Sequence, residues 1–254
     1  MNNIFISVNF KSSHLIDNWV KSINNCSIDS DVIIVDNFST IEEREILRLS
    51  SKKYSFKLIE LDNVGYSKAM NQALLFCKKT FKKGIIFCGN LDITFLNIPD
   101  RFIHGSYVYV PKVTEAKRNN RNPFLTVLQK KINPIYKIAA KKKSVYIYFL
   151  AVILNKIAGY CPSKIWAIHG SLFCFNISLI NDLDNLPFND NSFLYSEEWE
   201  FASFIESNNF SFAKSDIHIK HFSNATTSIL IKDQKDFIKI WAPSFINYVN
   251  RWDV

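Results

Sequence analysis

Four short apolar runs in the first ninety residues, each separated from the next by a segment of helical spacing, restrict this chain to very few folds. Residues 3–10 (NIFISVNF), 31–35 (DVIIV), 56–61 (FKLIEL) and 85–88 (IIFC) have the length and composition of buried strands. Between them, residues 14–23 carry Leu15, Trp19, Val20 and Ile23 on one helical face, and 41–49 form a second helix. Residues 67–81 put Ala69, Ala73, Leu74 and Cys77 along one face of a third. Strands alternating with helices of this length build βαβ units, so the predicted fold class is α/β: a mostly parallel sheet with right-handed crossovers and helices on both faces.

Each predicted strand stops at a polar residue: Asn9, Asp36, Asp62-Asn63, then Asn90 and Asp92 in the GNLDITF stretch. Parallel strands align those ends along one edge of the sheet, the crevice where open α/β sheets bind ligands. Asn and Asp there can hydrogen-bond a base or ribose and, through a cation, a diphosphate. Turn and N-cap preference explains any one of these residues equally well, but four in succession less well. The chain has neither G-x-G-x-x-G nor G-x-x-x-x-G-K-[ST]. Phosphates would therefore be neutralised by a metal or by basic side chains.

The 254 residues suffice for one full core. Five scattered cysteines without a C-x-x-C pair argue against a disulfide framework or a zinc site, and with no basic n-region before a long apolar stretch the expected location is cytoplasmic. The net charge of +8 is concentrated in one segment: Lys112 to Lys143 holds ten Lys/Arg against the single acid Glu115. SVYIYFLAVIL follows, too short to cross a bilayer, which takes about twenty apolar residues. A basic run beside such a helix suits an anionic membrane surface, each cation contributing about 1 kcal/mol. A buried helix beneath a solvated loop explains it equally well. Nucleic acid is disfavoured, because Phe124 is the one aromatic among the basic residues before Tyr136 and the rest of the chain is slightly acidic. The last residues, 229–254, repeat apolar and aromatic positions at helical spacing, with Pro243 predicted to divide them into two helices.

The series SVNF (7–10), VDNFST (35–40), DNVGYSKAMNQAL (62–74), GNLDITF (89–95), HGSLFCF (169–175), FLYSEEWEF (193–201) and HFSNATTS (221–228) resembles the family 2 glycosyltransferases of GT-A fold, in particular rhamnosyltransferase-like members of bacterial surface-polysaccharide synthesis. The resemblance spans nearly the whole chain. It implies a GT-A domain over 1–228, in which the basic, partly helical segment 112–160 reads by its composition as an insertion and 229–254 by its spacing as a helical tail. It also implies a nucleotide-diphospho-sugar donor carrying UDP or dTDP, inversion at the anomeric carbon, and a glycan acceptor borne on a lipid at the inner membrane face. Asn9 and Asp36 fall where the family contacts the nucleotide. Asn63, Gly65, Lys68 and Asn71 match the N-x-G…N stretch lining the nucleotide and sugar. Asp92 matches the last carboxylate of a D-x-D-like motif that holds Mg²⁺ or Mn²⁺, and His221 the late histidine that closes over the diphosphate or metal. Asn90 stands where stricter members carry Asp, so one firm carboxylate ligand remains.

The chemistry asks for the same residue types. A departing nucleoside diphosphate gathers negative charge that a divalent cation on oxygen ligands neutralises. The acceptor hydroxyl must give up a proton to a nearby carboxylate. Ser196-Glu197-Glu198 supplies one: with Ser196 as N-cap, both acids enter the first helical turn, where the dipole favours the ionised form. Glu198 is the expected base, with Glu197 beside it. His169-Gly170-Ser171 is expected as a small-residue turn near the acceptor, its glycine giving backbone clearance. A sugar-1-phosphate nucleotidyltransferase would need a Gly-rich basic loop after the first strand, where this chain has Asn9-Phe10-Lys11-Ser12-Ser13. A non-catalytic basic scaffold would not need Asp36, Asp92 and Glu198 together.

Overall fold

The computed structural model describes residues 2–103, 107–116, 118–181, 183, 185–222 and 233–252. Its first half is the predicted alternation. Strands β1 (Asn2–Asn9), β2 (Ser30–Asn37), β3 (Lys57–Leu61) and β4 (Gly84–Gly89) are linked by helices α1 (Ile16–Asn24), α2 (Ile41–Tyr54) and α3 (Tyr66–Thr80). Each helix buries the face its sequence marks: Trp19, Val20 and Ile23 on α1; Ala69, Ala73, Leu74 and Cys77 on α3. All five cysteines are free.

Four more strands complete an eight-stranded sheet: β5 (Ile93–Asn97), β6 (Tyr107–Thr114), β9 (Leu172–Asn176) and β10 (Ser211–His221). The sheet order is β3-β2-β1-β4-β9-β6-β10-β5. A small ribbon, β7 (Leu125–Thr126) with β8 (Ile165–Ala167), lies apart from it. Four of the seven pairings in the large sheet are parallel; β9 runs antiparallel to both β4 and β6, and β5 antiparallel to β10. One apolar cluster fills one face around Ile4, Ile6, Leu74, Phe173 and Phe201. A second fills the other around Phe5, Trp19, Phe87 and Phe95, where Phe5 and Phe87 stack at 4.4 Å. Burying each such ring contributes on the order of 1.5–3 kcal/mol.

Two expectations are corrected. The predicted insertion at 112–160 begins inside the sheet, since Lys112–Thr114 are the last residues of the central strand β6. Pro111 and the lysine after it disguise that strand. Pro111 has no ladder N–H, and it is tolerated because β10 bulges opposite it, with Ser215 donating its hydroxyl to the Val110 carbonyl at 2.9 Å. The second correction is that Pro243 does not split the tail: α9 is one helix, Gln234–Trp252. Buried Trp241, Ala242, Ser244, Phe245, Tyr248 and Val249 hold both sides of the proline against the body, and Ser244 donates to the Ile240 carbonyl. The lost backbone bond is outweighed by packing.

Short helices α4 (Val127–Lys130) and α7 (Ser178–Asn181), together with α5 (Asn133–Lys142), α6 (Val145–Gly159) and α8 (Glu197–Ser207), complete the structure. A third apolar cluster joins α5, α6, α8 and α9 through Tyr136, Trp199, Trp241 and Phe245. The tail thus packs into the same body as the basic segment.

Candidate functional site

Strand direction gathers one set of residues at one edge. β1, β2, β4, β6 and β10 end there, whereas β5 and β9 begin there: Gly89 pairs with Leu172, and His221 with Ile93. The turn 169–171 before β9, Asp92 before β5, Glu115 after β6 and His221 at the end of β10 therefore meet. Asp92, His221 and the 169–171 turn line part of a cleft of about 370 Å³, whose wall also includes Ser12, Asn37, Asn63, Tyr66, Asn90, Tyr195, Glu197 and Glu198. Glu115 reaches this group by its contact with His221.

The cleft wall has two chemically distinct parts. In the first, His221 lies between two carboxylates, with Nδ1 2.9 Å from Glu115 Oε1 and Nε2 3.4 Å from Asp92 Oδ1. Burial acts to lower the His221 pKa, but the hydrogen bonds and charges of Asp92 and Glu115 outweigh it and raise it. His169 Nε2 approaches Glu115 Oε1 to 4.0 Å, and its Nδ1 lies 2.9 Å from Ser171 Oγ. Burial pushes the His169 pKa down to about 3, aided by Arg121 and His221, so its imidazole is neutral and able to ligate. Glu115, His169 and His221 bring ligand atoms within 4.8 Å of one another, and the buried Asp92 Oδ1 joins them through its 3.4 Å contact with His221 Nε2. A neutral imidazole and two carboxylates, Asp92 and Glu115, fit a divalent cation.

In the second part, Glu197 and Glu198 open α8. Ser196 takes the N-cap position but makes no side-chain capping bond, and at Glu197 burial overrides the ionisation that the helix dipole favours. Burial, then the charge of Glu198, pushes Glu197 up to about 8. Burial also raises Glu198, opposed by N–H groups of Glu198 and Gly170 and by Arg121. Those donors bias the pair's negative charge toward Glu198. Gly170 performs the expected clearance: a Cβ there would lie 2.6 Å from Glu198 Oε1. Phe193, Leu194 and Tyr195 line the cleft, held by Phe193 and Leu194 N–H bonds to Ser244 Oγ at 3.1 and 3.2 Å.

Of the residues singled out in the sequence, Asn63, Asn90, Asp92, Glu197, Glu198 and His221 share this wall. The other histidine of β10, His218, faces Thr114. Asn9 and Asp36 lie beneath the wall, fully buried. Asn9 donates to Asp36 Oδ1 at 3.3 Å and to Ser39 Oγ at 2.8 Å, Ser39 bonds Asp36, and Arg44 Nε donates to Asp36 Oδ2 at 2.8 Å. The neighbour Asn37 reaches the cleft and accepts the Val64 N–H at 3.0 Å. Gly65 takes φ +82° against the Phe193 backbone, a conformation side chains rarely adopt. Asn71 binds the Phe188 carbonyl and Asp190 at 2.8 and 2.7 Å, and half-buried Lys68 lies outside the wall. Residues 223–228 of the HFSNATTS stretch fall outside the described residues.

No protein-family model matches the chain, and no curated protein matches it. Solved structures do. S. aureus TarS 1-349 in complex with UDP-GlcNAc superposes with a TM-score of 0.57 at 15% identity, covering 98% of this chain and 67% of that one. The mannosyltransferase PcManGT from Pyrobaculum calidifontis, in complex with GDP-Man and Mn²⁺, gives 0.51 at 14% identity, covering 98% and 70%. Glucosyl-3-phosphoglycerate synthase from Mycobacterium tuberculosis gives 0.52 at 10% identity, covering 99% and 80%. Against a longer TarS structure this chain spans 36% of the length. At such identities the likeness is one of fold: this is the α/β architecture of those proteins, as the sequence predicts.

Proposed function

We propose that the chain is an inverting glycosyltransferase of the family 2 type, moving a sugar from a UDP- or dTDP-sugar to a hydroxyl of a lipid-linked glycan in bacterial surface-polysaccharide synthesis. One observation carries this reading: one cleft at the sheet edge combines a cation-type donor set with a pair of glutamates, Glu197 buried and Glu198 half-buried. The fold shared with structures holding UDP-GlcNAc or GDP-Man supports the donor class.

Asn37, Asn63 and Asn90 provide amides for the nucleotide and sugar, while Asp92 and His221, with Glu115 and His169, would hold the cation. That cation would neutralise the diphosphate. Glu198 accepts the proton of the acceptor hydroxyl as its oxygen bonds the anomeric carbon and the bond from that carbon to the diphosphate breaks. Asn9 and Asp36 position the wall from beneath, as Gly65 and Asn71 position the start of α3 and its partner loop. Direct attack by the acceptor on the side opposite the leaving group inverts the anomeric centre.

The test is release of nucleoside diphosphate from a panel of nucleotide sugars with Mg²⁺, with Mn²⁺ and with EDTA. Turnover of at least one donor that EDTA suppresses is the expected result. No turnover and no binding of any donor would overturn the reading.

A further inference from the structure

Helix α6 is apolar on both faces: Val145, Ile147, Tyr148 and Val152 pack against the body, and a second apolar stripe faces outward. Its buried residues are Ala151 and Asn155, and Asn155 is bound into the body by the Tyr136 hydroxyl at 3.0 Å and by Gln129 donating to its carbonyl at 3.0 Å. Its outward stripe is Tyr146, Phe149, Leu150, Ile153, Ile157 and Tyr160, all exposed, with the two tyrosines at the ends 88% and 89% accessible. At 100° per residue these six fall within about a third of the helix circumference, opposite Asn155. A helix facing only water has the opposite pattern.

The charge around this stripe is equally one-sided. Lys141, Lys142 and Lys143 are exposed just before the helix, and Lys156 is exposed in its last turn. From residue 116 to 181 the chain has eleven Lys/Arg and no Asp or Glu. An apolar stripe ended by tyrosines and flanked by lysines, with no carboxylate in the segment, is complementary to a surface that is anionic outside and apolar beneath. A second copy of the chain would bring the same cations together. We infer that the outer face of α6 docks on an anionic lipid membrane, its apolar stripe entering the headgroup boundary and its lysines pairing with lipid phosphates. This rests on the glycosyltransferase reading only for its purpose: on the inner side, Tyr148 meets Phe237 at 5.2 Å and Phe237 meets the cleft residue Tyr195 at 5.2 Å, placing the glutamate side of the cleft two ring contacts behind the docked helix.

Flotation of the full chain with phosphatidylcholine vesicles, with and without phosphatidylglycerol, tests it without any turnover. The wild type should bind the anionic vesicles, less at high salt but not zero, because screening weakens only the charge contribution. Lys141→Glu with Lys142→Glu and Lys143→Glu, and separately Leu150→Glu with Ile153→Glu, should each lower partitioning at least about tenfold. Both variants change exposed side chains and should melt as the wild type does. The inference is overturned by a wild type that does not bind, or by equal binding of wild type and both variants. A wild-type dimer that Leu150→Glu with Ile153→Glu turns to monomer, without vesicle binding, would instead make this face a contact between copies.

Discussion

The cleft and the outer face of α6 depart from what folding alone would select in opposite directions. At the sheet edge, Asp92 and Glu197 are buried: an oxygen of Glu197 accepts no hydrogen bond among the described residues, and Asp92 Oδ1 has only a histidine at 3.4 Å. On α6, six large apolar or aromatic side chains stand in solvent while a buried asparagine faces inward. Burying an unsatisfied acid costs roughly 1–3 kcal/mol, and an apolar stripe left wet forgoes about 25 cal/mol per Å². Departures of this kind collect where a ligand or surface completes the structure. Here one region lacks charge compensation, the other apolar cover.

If the buried charge of the cleft serves donor binding, the largest effect follows from removing it. Asp92→Ala should abolish metal-dependent donor binding in calorimetry while leaving the fold intact, since His221 loses one carboxylate neighbour but keeps Glu115 at 2.9 Å. Unchanged metal-dependent affinity would remove Asp92 from the site. A smaller effect is expected from Gly170→Ala, whose Cβ would displace the Glu198 carboxylate. Its turnover should fall about 10- to 100-fold with donor affinity nearly constant. Full activity would show that the position of Glu198 is not critical.

The smallest effect sharpens the energetic side of the comparison. Glu197 is held protonated in the folded state up to about pH 8, well above its ordinary range. Between the ordinary carboxylate pKa and 8 the native state binds the extra proton, so this group's contribution to stability falls as pH rises through that window. Glu197→Gln lacks the decline. It should melt a few degrees above wild type at pH 9 and level with it near pH 4. Parallel melting curves across that range would mean Glu197 titrates normally.

Much of this site was legible in the sequence because strand ends are. Asn63, Asn90 and Asp92 follow apolar runs whose parallel pairing fixes where they go, and Glu197 and Glu198 open a helix of visible periodicity. Glu115 and His169 were not read as cation ligands. Glu115 follows a strand interrupted by Pro111 and merges by composition into the basic run, although it is the single acid there. His169 precedes an antiparallel strand, so it reaches the shared edge from the opposite direction. Asp36 shows the converse limit: its position at a strand end was legible, but its engagement by Arg44, eight residues on, depends on how α2 packs. The outward orientation of the α6 stripe was likewise open in the sequence, since its apolar run fits a buried helix as well as an exposed one.

The central claim is that one cleft separates donor binding, at Asp92 and His221, from proton removal at Glu198. Glu198→Gln tests it most directly, because the amide keeps the shape and polarity of the carboxylate but cannot take the proton. Measured on one enzyme preparation, kcat should fall on the order of 10²- to 10⁴-fold while the donor Kd in the presence of Mn²⁺ stays within a factor of about two. Undiminished kcat, or a loss of donor affinity as large as the loss of turnover, would contradict it.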